Sequence, residues 1–150
     1  IANAGTEYVP HVLKMQNPVI KATNILSSQN FDLIRQGMIE ACSPGGVGYT
    51  FFNFTVKNPS LQINNQDIFP APEASTSANF GDFRRIQVAC KTGTAQEGGD
   101  TALPHAWMTL FAPAYHPQVV VTVLAESAGE GSEISGPVAT EILKDFFEEK

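Results

Sequence analysis

Hydrophobic and polar positions change their rhythm along this chain, and each change marks an element. Ile1–Gly5 reads as the last turn of a helix stopped by Gly5, and Tyr8–Met15 alternates loosely as a short strand or extended arm interrupted by Pro10. Over Asn30–Cys42, Ile34, Met38 and Ala41/Cys42 recur at spacings of three and four. This predicts a helix that ends at Pro44-Gly45-Gly46. Residues 56–81 are rich in Pro, Ser and Asn without a period, so they predict a long surface excursion holding at most one short strand at Leu61–Ile63. Three apolar or β-branched runs follow, at Arg84–Thr94, Ala106–Pro113 and Gln118–Glu126. Tyr115-His116-Pro117 forms the heart of a hairpin between the last two, and Val119–Leu124, apolar on both faces, belongs inside a sheet. After Gly136-Pro137, Val138, Ile142 and Phe146, joined by Ala139 and Leu143, share one face of a helix, with Glu141, Lys144, Asp145 and Glu148 opposite. Ser135 or Gly136 suits its cap and Pro137 its first turn. The fold class is α+β, an antiparallel sheet with a C-terminal helix packed across it.

Composition narrows the function. The 150 residues are 43% hydrophobic and 16% charged, which suits one globular domain with a real core. Fifteen acidic against nine basic residues give a net charge of −6 with no basic stripe, which argues against a nucleic-acid partner or an anionic membrane surface. No apolar run is long enough to cross a bilayer, and IANAGTEY lacks the make-up of a signal peptide. Cys42 and Cys90 have no C-x-x-C spacing. One bridge between them is possible but not implied, and the plainer reading is two small buried apolar residues. His11, His105 and His116 lack the pairing of a helical metal site, so neither metal nor cofactor is assigned.

Lys91-Thr92-Gly93-Thr94-Ala95-Gln96 carries the sharpest chemistry. On a strand, residues two apart share a face, so the hydroxyls of Thr92 and Thr94 form a donor pair, and Gly93 between them leaves room for another backbone. Such a strand suits a sheet edge that accepts an extended peptide. The backbone groups of residues 93–96 can pair with the ligand main chain, the Thr94 N–H can serve an acyl oxyanion, and Lys91 adds a cation. Read alone, the same six residues are also an ordinary strand end with a surface lysine and a glycine turn.

Ala89–Gln96, then His105-Ala106-Trp107-Met108-Thr109-Leu110-Phe111-Ala112-Pro113, the Val119–Glu126 run, Gly129–Ser132 and Pro137-Val138-Ala139 together resemble the C-terminal half of penicillin-binding protein transpeptidase domains. The resemblance is to the class B, penicillin-binding protein 2 type. Ile1–Thr6 with Tyr8, Pro10 and His11, and Arg35-Gln36-Gly37-Met38, resemble that family's helix end and R-x-G-M helix in the same order. Residues 56–81 lie outside the likeness.

The resemblance implies a five-stranded antiparallel sheet flanked by helices, with a helical part that carries a serine nucleophile in an S-x-x-K motif. That serine attacks the D-Ala-D-Ala stem peptide of peptidoglycan, a neighbouring amine resolves the acyl-enzyme, and β-lactams trap it. By the same resemblance Lys91 hydrogen-bonds to the S-x-N serine. Thr92 and Thr94 bind the substrate or β-lactam carboxylate, the Thr94 N–H supplies half of the oxyanion hole, and Gln96 lines the entrance. No Ser or Thr of this chain has Lys three residues on, so the nucleophile is expected elsewhere. Ser28-Gln29-Asn30 has the letters of S-x-N but reads as helix capping. Cys90 and Leu110 stand where the family usually has Gly, and Trp107 and Phe111 read as core.

The chain is therefore expected to be one piece of a larger domain, completed by a missing N-terminal part, and inactive alone. Its setting would be the periplasmic face of the bacterial inner membrane, with the anchor upstream. Two other readings stay open: a catalytically empty penicillin-binding fold used as a binding or scaffold module, and a related serine carboxypeptidase or β-lactamase.

Overall fold

The computed structural model describes residues 1–13, 17–68, 79–96 and 102–149; for 79 and 80 only the backbone is described. Strands β1 (Glu7–Tyr8) and β2 (Ile20–Ala22) pair antiparallel ahead of helix α1 (Ser28–Ala41). Strands β3 (Thr55–Lys57), β4 (Asn79–Phe80) and β5 (Phe83–Arg85) form a small sheet in the order β3-β5-β4. Strands β6 (Ala89–Ala95), β7 (His105–Ala112) and β8 (Val119–Ala125) form the main antiparallel sheet in chain order. Helix α2 (Gly136–Glu148) closes the fold.

The opening turn packs on α1. Gly5 has φ +89°, and a Cβ there would lie 2.6 Å from a ring carbon of Phe31, so both conformation and space call for glycine at the expected stop. Ser27, not Ser28 or Asn30, caps α1: its Oγ accepts from the Asn30 N–H at 3.3 Å, and Ser28-Gln29-Asn30 is the first helical turn. Because Phe31 docks at Gly5, the buried stripe runs through Phe31 and Ile39 to Cys42, and Ile34, expected on the inner face, is exposed.

The run expected as one strand from Arg84 to Thr94 is two strands in two sheets. Between them the Ile86 N–H donates to Phe54 O at 3.1 Å and the Gln87 N–H to Asp67 O at 2.8 Å. Loop carbonyls thus take the bonds a continuous ladder would need. Inside the 56–81 excursion, Leu61–Ile63 is not a strand. Leu61 and Ile63 press instead against the core, while residues 69–78 lie outside the described part. Arg85 is buried, donating to Phe52 O at 3.3 Å and to Asn53 Oδ1, and its burial lowers the guanidinium pKa.

In the main sheet, Cys90, Leu110 and Val121 align on one face, where Met108, Phe51, Phe54, Val56 and Ile86 join them. On the other face Ala89 and Phe111 pack with Ile39 and Ala114. Phe111 is core as expected, whereas Trp107 is half-buried. The stripe of α2 that meets the sheet is Ala139, Leu143 and Phe147, with Phe146 partly buried and Val138 and Ile142 exposed, contrary to the expected face. Gly136 sets this rotation. A Cβ there would stand 2.9 Å from Thr50 Oγ1 and 3.5 Å from Met108 Cε, so the helix enters with residue 136 against the core, and 139, 143 and 147 follow on that side.

Two further features settle what the local pattern left open. Cys42 and Cys90 are joined in a disulfide with Cα atoms 5.7 Å apart. Strand β8, whose two apolar faces suit the inside of a complete sheet, is an edge among the described residues, with Val120 59% and Leu124 43% exposed, as expected for a sheet that a further part of the domain completes.

Candidate functional site around strand β6

Along β6 the chain passes from core to solvent: Ala89 and Cys90 are buried, Lys91 is exposed, Thr92 and Gly93 are half-buried, and Thr94, Ala95 and Gln96 are exposed. The strand is fixed by β7 on one side, with Gly93 opposite Trp107 and Thr94 opposite Ala106. Its other edge pairs with no strand among the described residues. The disulfide pins this strand one residue before Lys91, tying it to the end of α1. Lys91 Nζ donates to Thr92 O. The hydroxyl of Thr94 donates to Glu130 Oε2 at 3.0 Å.

Gly93 has its own neighbour, since a Cβ there would lie 3.1 Å from the Trp107 Cβ. Over the same place runs a single π-helical turn, Gly131–Ser135, leading into α2. A Cβ on Gly131 would meet Trp107 O at 2.2 Å and Gly93 O at 3.0 Å, so only glycine lets the turn seat on both strands. The turn is anchored again where Ser132 Oγ donates to Val47 O at 2.6 Å and Ser135 Oγ to Ala106 O at 2.8 Å. Ser135, offered as a cap for α2, makes no capping bond, because its hydroxyl is spent on β7.

The sequence singled out Lys91, Thr92, Gly93, Thr94 and Gln96, and all five lie on or directly after β6. It missed Glu130, whose approach to Thr94 across 36 positions leaves no trace in local pattern. It also missed buried Asp67, which accepts from the Tyr115 N–H at 2.5 Å and the His116 N–H at 3.2 Å, with His116 Nδ1 at 2.6 Å from its other oxygen. Among the described residues no group of three or more His, Cys, Asp and Glu could hold a metal ion. No helix described is long and apolar enough to cross a membrane.

An α+β fold whose Lys-Thr-Gly-Thr strand, unpaired along one edge among the described residues, lies under a glycine-seated turn defines a class, and comparison with known proteins gives it a family. The profile of the penicillin binding protein transpeptidase domain matches residues 1–147, so the chain belongs to that family. It is 38% identical over 81 residues to the peptidoglycan D,D-transpeptidase PbpA of Mycolicibacterium smegmatis, covering 53% of this chain and 16% of that protein. With the peptidoglycan D,D-transpeptidase MrdA of Haemophilus influenzae it shares 36% identity over 77 residues, covering 43% of this chain and 12% of that protein.

In fold it is similar to penicillin-binding protein A from M. tuberculosis, solved as a ceftriaxone acyl-enzyme complex. The TM-score is 0.61 at 22% identity, over 95% of this chain and 28% of that one. It is also similar to Pseudomonas aeruginosa PBP2, solved in complex with WCK 5153, with TM-score 0.61 at 23% identity, over 97% of this chain and 26% of that one. The chain thus spans about a sixth of the length of the PbpA relative it matches.

Proposed function

We propose that these residues supply the substrate-positioning strand of a peptidoglycan D,D-transpeptidase. The single observation carrying this reading is that Lys91, Thr92, Gly93 and Thr94 stand on an antiparallel strand whose outer edge pairs with no other strand among the described residues, and whose exposed end carries the Thr94 hydroxyl and Gln96. On this reading an extended stem peptide, or a β-lactam in its place, lies along β6. Its carboxylate accepts from the hydroxyls of Thr92 and Thr94, Lys91 contributes positive potential, the Thr94 N–H is one of two oxyanion donors, and Gln96 borders the entrance. The likeness to acyl-enzyme structures supports β-lactams as ligands.

The serine that forms the acyl intermediate belongs to a part of the domain outside these 150 residues, since no Ser or Thr here precedes Lys at the required spacing. These residues alone are therefore inactive. The working location is the periplasmic face of the inner membrane, with the anchor likewise outside this segment.

Labelling with a fluorescent penicillin tests this. The expected result is a covalent adduct on the serine-bearing part of the assembled domain and none within residues 1–150. An adduct inside residues 1–150 would overturn the assignment of the nucleophile. No labelling of the assembled domain would favour a catalytically empty binding module.

A further inference from the structure

We propose that Glu130 is a specificity-determining residue that competes, as an internal carboxylate, for the Thr94 hydroxyl. The inference rests on the reading of Thr94 as a donor to the ligand carboxylate. A threonine hydroxyl has one proton to donate, and here it goes to Glu130 Oε2 at 3.0 Å. A ligand carboxylate arriving at Thr94 must take that proton from an acceptor of its own chemical type and then sit beside a like charge. Among the described residues Glu130 has no ion-pair partner to dilute its charge.

The backbone holds Glu130 at this position. The N–H groups of Ala128 and Gly129 both donate to Pro104 O, at 3.0 and 2.9 Å, fixing the chain just before it. Directly after it, Gly131 seats on Trp107 O and Gly93 O. The Glu130 carbonyl accepts from the Glu133 and Ile134 N–H groups, at 3.2 and 3.1 Å. Glu130 itself is exposed, so an arriving ligand can reach its carboxylate. Glu130 therefore opposes anionic ligands more than neutral ones, and removing its charge relaxes that preference.

Acylation of the assembled domain by a penicillin free acid and by its methyl ester, in the wild type and in Glu130→Gln, Glu130→Ala, Glu133→Gln and Thr94→Val, tests this. Glutamine keeps an acceptor and the shape while removing the charge; alanine removes both. Glu130→Gln and Glu130→Ala are expected to raise the acylation rate for the free acid by about fivefold, the scale of one like charge at a partly solvated site, and to change that for the ester by less than twofold. Glu133→Gln, exposed on the same turn, is expected to leave the acid-to-ester ratio unchanged. An unchanged ratio in both Glu130 variants, equal acceleration of acid and ester, or the same effect from Glu133→Gln would each overturn the proposal. If Thr94→Val leaves free-acid acylation unchanged, the reading of Thr94 itself fails. Slowing by Thr94→Val with no effect at Glu130 overturns only the role of Glu130.

Discussion

Cys42, at the end of α1, is covalently joined to Cys90, the residue before Lys91, so the strand offered to ligand is tied to a helix 48 positions away. Both residues are almost fully buried, at 2% and 0% exposure. Gly48 lies against the sulfurs, where a Cβ would stand 2.6 Å from Cys90 Sγ and 2.9 Å from Cys42 Sγ. By the loop-closure argument, a bridge of this span removes about 4 kcal/mol of unfolded-chain entropy. Urea unfolding of the assembled domain with and without reductant is expected to show a loss of about 2–4 kcal/mol, in the usual range for a native bridge. Identical midpoints in the two conditions would dismiss the cross-link.

Asp67 holds the β7–β8 hairpin from inside. Asp67→Ala strips the acceptor from the backbone N–H groups of Tyr115 and His116 and is expected to cost about 3 kcal/mol. Asp67→Asn keeps one oxygen and is expected to cost less. If alanine proves as stable as wild type in chemical denaturation, the hairpin does not depend on this carboxylate.

Gly131→Ala places a methyl group 2.2 Å from Trp107 O, so the turn must lift from β6 and β7. The expected cost is about 2 kcal/mol, in the range of other overpacked sites, with loss of the Glu130 contact to Thr94. Thermal unfolding reads the first effect and the Thr94 amide chemical shift the second. An unmoved resonance together with wild-type stability would show that the turn is not seated there.

Thr94→Val in the assembled domain removes one of two proposed carboxylate donors. Acylation by a penicillin is expected to slow about tenfold, equivalent to 1–2 kcal/mol. An unchanged rate refutes the assignment of that hydroxyl.

Strand β8 leaves Val120 and Leu124 exposed along an edge that pairs with no other strand among the described residues. The 150 residues by themselves are expected to self-associate, and Val120→Lys is expected to reduce this without lowering stability. Light scattering checks both; a monodisperse monomer with cooperative unfolding would count against the larger-domain reading.

The sequence alone determined whatever rests on short-range pattern. The 3.6-residue period located α1 and α2, the β-branched runs located β6, β7 and β8 with their hairpin, and the Lys91-Thr92-Gly93-Thr94-Ala95-Gln96 segment was legible because strand alternation and a glycine between two hydroxyls are local facts. Tertiary structure decided what distance along the chain hides. Two apolar stripes lie side by side on α2, and only the seating of Gly136 on Thr50 selects Ala139, Leu143 and Phe147 over Val138 and Ile142. The Arg84–Thr94 run was broken because Phe54 and Asp67 offered carbonyls to Ile86 and Gln87. The Cys42–Cys90 bridge and the Glu130–Thr94 contact join residues 48 and 36 positions apart. No periodicity encodes such meetings, because they depend on how packed elements are oriented and not on how any one of them is formed.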